Sequence, residues 1–180
     1  DTKDLYYRDH LKYGNIGLCS TKEEFKKRTN SIGLDLLQAD IDDDDLIKIL
    51  KKIQTSAFGN KLIIELLMHQ KKLGSGIGNY LSAEILYKAK ISPYRKIKTL
   101  KSAELKLLAH TIRKTMKFAY LSADTKYLQN LEPFSNKKVN VDYHEDIKIK
   151  KDAEFHWNVY KEPEDTLGNE VTKSKIIPVN

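Results

Sequence analysis

Apolar residues recur at helical spacing through the middle of the chain and lose that rhythm towards both ends. In LIKILKKIQ, Leu46, Ile49, Leu50 and Ile53 fall on one stripe, the pattern of an amphipathic helix. The acidic run Asp42 to Asp45 precedes it, and acids suit the positive end of a helix dipole. Gly59 and Asn60 punctuate, and KLIIELLMHQKK then reads as a helix apolar on most sides, therefore buried. LGSGIG breaks that helix, NYLSAEILYKAK resumes the period, and Ser92-Pro93 ends it. The longest predicted helix runs from about residue 101 to 121. Leu105, Leu108, Ile112, Met116 and Ala119 line one of its faces. Lys106, His110, Arg113 and Lys117 line another, which faces either phosphates or solvent.

The flanks read differently. Residues 5–19, LYYRDHLKYGNIGLC, are strand-like, with Gly14 and Gly17 marking turns or bulges. Thr21 opens T-K-E-E, a capping box with Glu24 at the third helical position, which predicts a short helix over 22–28. Beyond Pro133, FHWNVY and EVTKSKII read as short strands around the turn-rich EPEDTLGN. The expected fold is mostly α with β material at both ends. Three segments are expected: 1–41, 42–135 and 136–180.

Charge adds a direction. Residues 61–135 hold 14 Lys/Arg against 5 Asp/Glu, whereas the segments before and after are each net −1. A localised basic excess favours a polyanionic partner, because cationic side chains release counterions from phosphates; a lysine-rich solvated surface is the alternative. The longest apolar runs are about five or six residues, far short of the roughly 20 that span a bilayer, so no membrane partner is expected. Cys19 is the only cysteine, which excludes an internal disulfide and a multi-cysteine zinc site. It fits a small buried residue in a reducing, intracellular setting.

The candidate chemistry lies in GSGIGNYLSAEILYKAKISPYR, residues 74–95. A buried helix ends, a glycine-rich hairpin turns, and a second helix starts near Asn79. Gly76 and Gly78 allow dihedrals barred to other residues and a close backbone approach to a ligand. Amides at a helix start are unpaired and point outward with the positive dipole end. Asn79 can cap the helix or donate its carboxamide. Together these groups make a small anion cradle, to which Lys61, Lys71 and Lys72 can add charge. An ordinary interhelical turn would leave the same local pattern.

The string G-I-G-N-Y-L-x-A-E-I-L-Y-x-x-x-I-x-P resembles the helix–two-turns–helix signature of the formamidopyrimidine-DNA glycosylase/endonuclease VIII superfamily. LLMHQKKL resembles that family's first signature helix, with His69 and Gln70 slightly shifted. The resemblance implies that Asn79 and neighbouring amides hold the phosphate beside a flipped nucleotide, with Gly76 and Gly78 shaping the turn. It makes Glu84 the family's acidic residue on the second helix, read here as a buried group that ties helices together. Asp9-His10-Leu11-Lys12-Tyr13-Gly14 resembles the loop that closes the family's N-terminal β-sandwich domain. By position, Leu11 and Tyr13 take the places that fill the void left by the extruded base. FHWNVYKEPED resembles the run into the C-terminal β-hairpin finger. The lack of later cysteines points to the Nei-like branch with a zincless finger.

The fold so implied is a helix–two-turns–helix DNA-binding domain between a remnant of a β-sandwich and an incomplete β-hairpin. The implied parent is a DNA glycosylase and AP lyase that removes oxidised bases. Its N-terminal amine forms a Schiff base at C1′, and β- or δ-elimination nicks the strand. DTKDLYY aligns with the last strands of the first domain, so Asp1 is not that amine. The chain is expected to be a fragment without a catalytic residue or the finger arginine. Damaged DNA is the expected partner, a monomer the expected state, and neither cofactor nor metal is implied. A non-enzymatic nucleic-acid-binding module is the alternative of another class.

Overall fold

The computed structural model describes residues 7, 12, 14–37, 41–121, 144, 146–149 and 155–173. Leu11 and Tyr13 lie outside the described residues. Two compact units are present, Asp1–Ser31 and Ile32–Asn180.

The first unit carries helix α1 (Lys22–Thr29). The Thr21 side chain accepts from the Glu24 amide at 3.1 Å, and Glu24 reaches back to the Ser20 amide, also at 3.1 Å. This is the cap expected from T-K-E-E, displaced by one residue on its return bond. Arg28 pairs with Glu24 one turn earlier, at 3.1 Å.

Among its described residues the second unit has four α-helices: α2 (Asp43–Thr55), α3 (Ile63–Leu67), α4 (Asn79–Lys88) and α5 (Ser102–Leu121). Its core draws Leu46, Leu50 and Ile53 from α2, Leu66 and Leu67 from α3, and Ile85 from α4. Leu105, Leu108 and Ile112 join from α5, with Leu36, Ile77 and Ile97 from the connections. The periodic stripes of α2 and α5 therefore face inward as their spacing requires. Burying each such Leu or Ile contributes roughly 1.5–3 kcal/mol.

Two helices are shorter than their sequence pattern. The apolar run from Lys61 to Lys72 is helical only to Leu67. From there the main chain turns because it is needed elsewhere: the Gln70 carbonyl accepts from the Gly33 amide at 2.8 Å. Helix α4 stops before Pro93 is reached, in a Schellman motif: the Lys90 amide donates to the Tyr87 carbonyl and the Ile91 amide to the Leu86 carbonyl, both at 3.0 Å. Lys90 takes the left-handed φ of 55° that this ending needs.

Among the described residues there are isolated bridges but no strand ladder. The predicted strand over 155–160 does not form, because its amides serve another purpose. Those of Asn158, Val159 and Tyr160 all donate to the carboxylate of Glu84. Around EPEDTLGN a single bridge joins Glu164 to Glu170. The Asp165 carboxylate holds that turn by accepting from the Leu167 and Asn169 amides, both at 2.8 Å.

Candidate nucleic-acid interface

The turn between α3 and α4 is assembled by Gln70. Its carboxamide nitrogen donates to the Ile77 carbonyl at 2.7 Å, and its oxygen accepts from the Gly76 amide at 3.0 Å. One side chain thus braces both strands of the hairpin. On the other side the Ser75 amide donates to the Leu34 carbonyl at 2.7 Å. Gly74 must be glycine, because a Cβ there would come within 2.7 Å of that same carbonyl oxygen. Gly76 sits at φ +103°, a conformation that L side chains rarely adopt.

Gly78 does not take the special dihedrals that the sequence reading allowed it. Its φ of −108° and ψ of −169° are extended and open to any residue. What its missing side chain provides is space: nothing lies within 4 Å of where a Cβ would be. Gly78 is also the N-cap of α4, and it offers no side-chain acceptor. The amides of Gly78, Asn79 and Tyr80 have no acceptor among the described residues. Asn79 is exposed, and its carboxamide has no hydrogen-bond partner among them. Its main-chain carbonyl accepts from the Ser82 hydroxyl at 2.9 Å, which steadies the first turn. The arrangement gathers unpaired N–H donors at a positive dipole end, over open space.

The other predicted residues divide. Gly76 is in the turn, but its amide is taken by Gln70, so its part is to shape the backbone. Lys61 stands apart from the turn, before α3, with its ammonium 3.7 Å from Glu65. It bonds neither to the glycines nor to Asn79. Lys71 and Lys72 are exposed beyond α3, with Lys72 over the Phe58 ring.

Along the basic stripe of α5 only Arg113 is buried; Lys106 and His110 are exposed and Lys117 is half-buried. Arg113 is 2% exposed and donates to Asp43 at 2.6 Å and to Asp146 at 2.9 Å. Burial opposes its charge, but these carboxylates outweigh that and hold its pKa above the ordinary value. The hydrogen bond from Arg113 in turn holds Asp146 below the usual carboxylate range. His110 meets Asp43 at 2.9 Å, and the Lys117 ammonium donates to the His144 carbonyl at 2.7 Å. Only Lys106 stays exposed without such a partner.

Glu84 is fully buried, and it ties α4 to a loop rather than to another helix. It accepts from the amides of Asn158, Val159 and Tyr160 at 2.8–3.1 Å and from the Asn158 carboxamide at 2.6 Å. A buried carboxylate without donors would cost several kcal/mol; four donors make it a structural anchor. The loop it anchors forms one wall of a groove of about 1000 Å³ that begins at Asn79 and follows α4. The groove floor includes Ile64, Leu86 and Val159, and Lys88, Lys90, Lys161 and Lys173 line it with no carboxylate among them. From sequence, Gln70 is named only as a slightly shifted member of a signature helix and FHWNVY only as a strand leading to a finger; the brace and the Glu84 anchor are not read there.

The model of the formamidopyrimidine-DNA glycosylase H2TH domain matches residues 21–129, more than half of the chain. The chain belongs to this family. A formamidopyrimidine-DNA glycosylase of Wolbachia sp. subsp. Brugia malayi is 27% identical over 137 residues, which cover 74% of this chain and 46% of that protein. Endonuclease 8 of Escherichia coli is 33% identical over 72 residues, 40% of this chain and 27% of that protein. The chain thus spans less than half the length of these curated relatives. The crystal structure of a viral DNA glycosylase superposes with a TM-score of 0.61 over 89% of this chain and 50% of that one. At 20% identity this last likeness shows the fold alone. The matched residues include α3, α4 and the turns between them at residues 68–78. Among the described residues no helix is long and apolar enough to cross a membrane.

Proposed function

We propose that this H2TH domain is the backbone-gripping part of a base-excision DNA glycosylase and AP lyase acting, as a monomer, on oxidised bases. The observation that carries the reading is the open start of α4: unpaired amides at Gly78, Asn79 and Tyr80 beside the free Asn79 carboxamide. A phosphodiester oxygen meets the chemistry of that site, since it is anionic and accepts several hydrogen bonds. Gly78 leaves room for its approach, and the Gln70 brace fixes the donors before binding, so little ordering is needed on contact. Lys61 adds longer-range attraction rather than a direct bond.

In this reading the reacting amine lies outside the 180 residues, and the domain contributes position. It holds the kinked backbone so that an extruded nucleotide, whose unstacking costs a few kcal/mol, stays aligned for attack at C1′. Leu11 and Tyr13 remain proposed fillers of the vacated stack.

The test is Asn79→Ala, with affinity for a duplex carrying an abasic-site analogue read by fluorescence anisotropy. Removing a hydrogen bond to a charged group should weaken binding by about 1.5–3 kcal/mol. Binding of the unaltered chain should also weaken steeply as salt is raised. An affinity equal to that of the unaltered chain removes Asn79 from the interface.

A further inference from the structure

Tyr80, the residue after Asn79, is 41% exposed. Its ring meets Trp157 edge-to-face, with centroids 5.0 Å apart and planes at 74°. Trp157 is itself 38% exposed. Both rings touch Tyr160, and beneath them Trp157 leans on Phe155 and Phe155 on Phe118. Packing of the 155–160 loop onto α4 and α5 accounts for the two inner phenylalanines. It does not account for leaving Tyr80 and Trp157 open to water at the very turn that presents the free amides.

We propose that Tyr80 and Trp157 form a stacking platform for an unpaired nucleobase of single-stranded DNA whose phosphate lies at Asn79. The inference rests on the phosphate-binding reading and extends it from the backbone to a base. Three observations favour this occupant. Tyr80 follows Asn79 on the first turn of α4 and Trp157 packs against it, so a single nucleotide can reach both the phosphate donors and the rings. Cationic side chains lie over the aromatic run: Lys88 is 4.9 Å from the Phe155 centroid and Lys161 5.6 Å from that of Tyr160. The rings are also held in place by ring–ring contacts before any ligand arrives, which lowers the ordering needed on binding. Phosphate tracking combined with aromatic faces for bases is the general logic of single-strand binding.

Trp157 is the only tryptophan in the sequence, so its emission reports the platform directly. The 180-residue chain is titrated with oligothymidylate while Trp157 fluorescence is followed. A fully paired abasic-site duplex is titrated in parallel by anisotropy. Quenching by oligothymidylate is expected. Tyr80→Ala should weaken oligothymidylate binding roughly 5- to 150-fold, the usual range for losing one base stack. Tyr80→Phe should restore single-strand binding, and Trp157→Ala, read by anisotropy, should weaken it while leaving duplex affinity within about twofold. Oligothymidylate binding with unchanged Trp157 emission, or with no loss in Tyr80→Ala, overturns the platform and leaves the phosphate site standing. Failure of both DNAs to bind the unaltered chain overturns the phosphate site and the platform with it.

Discussion

Helices α2 and α4 begin in opposite ways. The start of α2 is closed by its own side chains. Asp42 accepts from the Asp45 amide at 2.8 Å, and Asp43, Asp44 and Asp45 fill the first turn. Asp43 then binds both Arg113 and His110 of α5. The start of α4 has Gly78 as its cap, no side-chain acceptor and no acid in the first turn. Both ends carry the same positive dipole. At α2 the protein neutralises it internally and uses the acids to fasten α5. At α4 it leaves the charge unanswered, on a turn braced from behind by Gln70. In the proposed reading an anion from outside is the acceptor that this helix start lacks.

The sharpest way to break this contrast is to give α4 the cap that α2 has. In Gly78→Asp the new carboxylate has room, since nothing lies within 4 Å of the Cβ position, and the backbone there is already extended. It should accept from the first-turn amides and leave the thermal midpoint unchanged or slightly higher. A carboxylate where a phosphate must sit costs several kcal/mol. Affinity for abasic-site DNA should therefore fall on the order of a hundredfold. Anisotropy titrations beside a thermal melt check both halves. A variant that melts normally and still binds DNA tightly would show that the open helix start is not where phosphate binds.

The contrast between the two helix starts was only half legible in the sequence. The acidic run before α2 and the glycine hairpin before Asn79 are local patterns, and local spacing places them correctly. What the side chains bind across the fold is not local. Glu84 was recognisable as a buried acid, but its donors are main-chain amides more than 70 positions away, and amides carry no sequence signature. Arg113 and Lys117 share a stripe with Lys106 and look equally solvated in a helical projection. The partners they meet separate them: Asp43 and Asp146 at Arg113, and His144 at Lys117. Gly78 is read in sequence as allowing both special dihedrals and a close backbone approach; its backbone is extended, so the open space above an uncapped helix is what its missing side chain provides.

A smaller effect probes the closed start. Asp42→Ala removes the α2 cap, and loss of an N-cap carboxylate costs about 1 kcal/mol of stability. Urea unfolding should show that loss, while affinity for abasic-site DNA stays as it was. The same variant would break the comparison if DNA binding fell with stability, because the two helix starts would then be coupled.

The smallest effect comes from His144, which backs the Arg113 cluster. Its Nε2–H donates to the Leu36 carbonyl at 2.9 Å, and its Nδ1 accepts from Arg113 Nε at 3.3 Å. A ring bonded in this way is neutral. Burial lowers its pKa below the ordinary histidine value, and the Arg113 and Lys117 charges push the same way against the opposing Leu36 bond and Asp146. Asp43 and His110 complete the titratable side chains around Arg113. An unfolded histidine takes up its proton near pH 6.5, whereas the folded one resists. The stability held by neutral His144 is therefore complete above about pH 6.5 and is lost as pH falls through its lowered folded value. In His144→Gln the carboxamide can serve Leu36 and Arg113 as the neutral ring does, but it has no proton to gain. Urea midpoints measured from about pH 7.5 to 5.5 should then decline less in the variant than in the unaltered chain. Equal declines would mean that residue 144 does not sense pH from inside the fold, and that the closed start of α2 is held by its carboxylates alone.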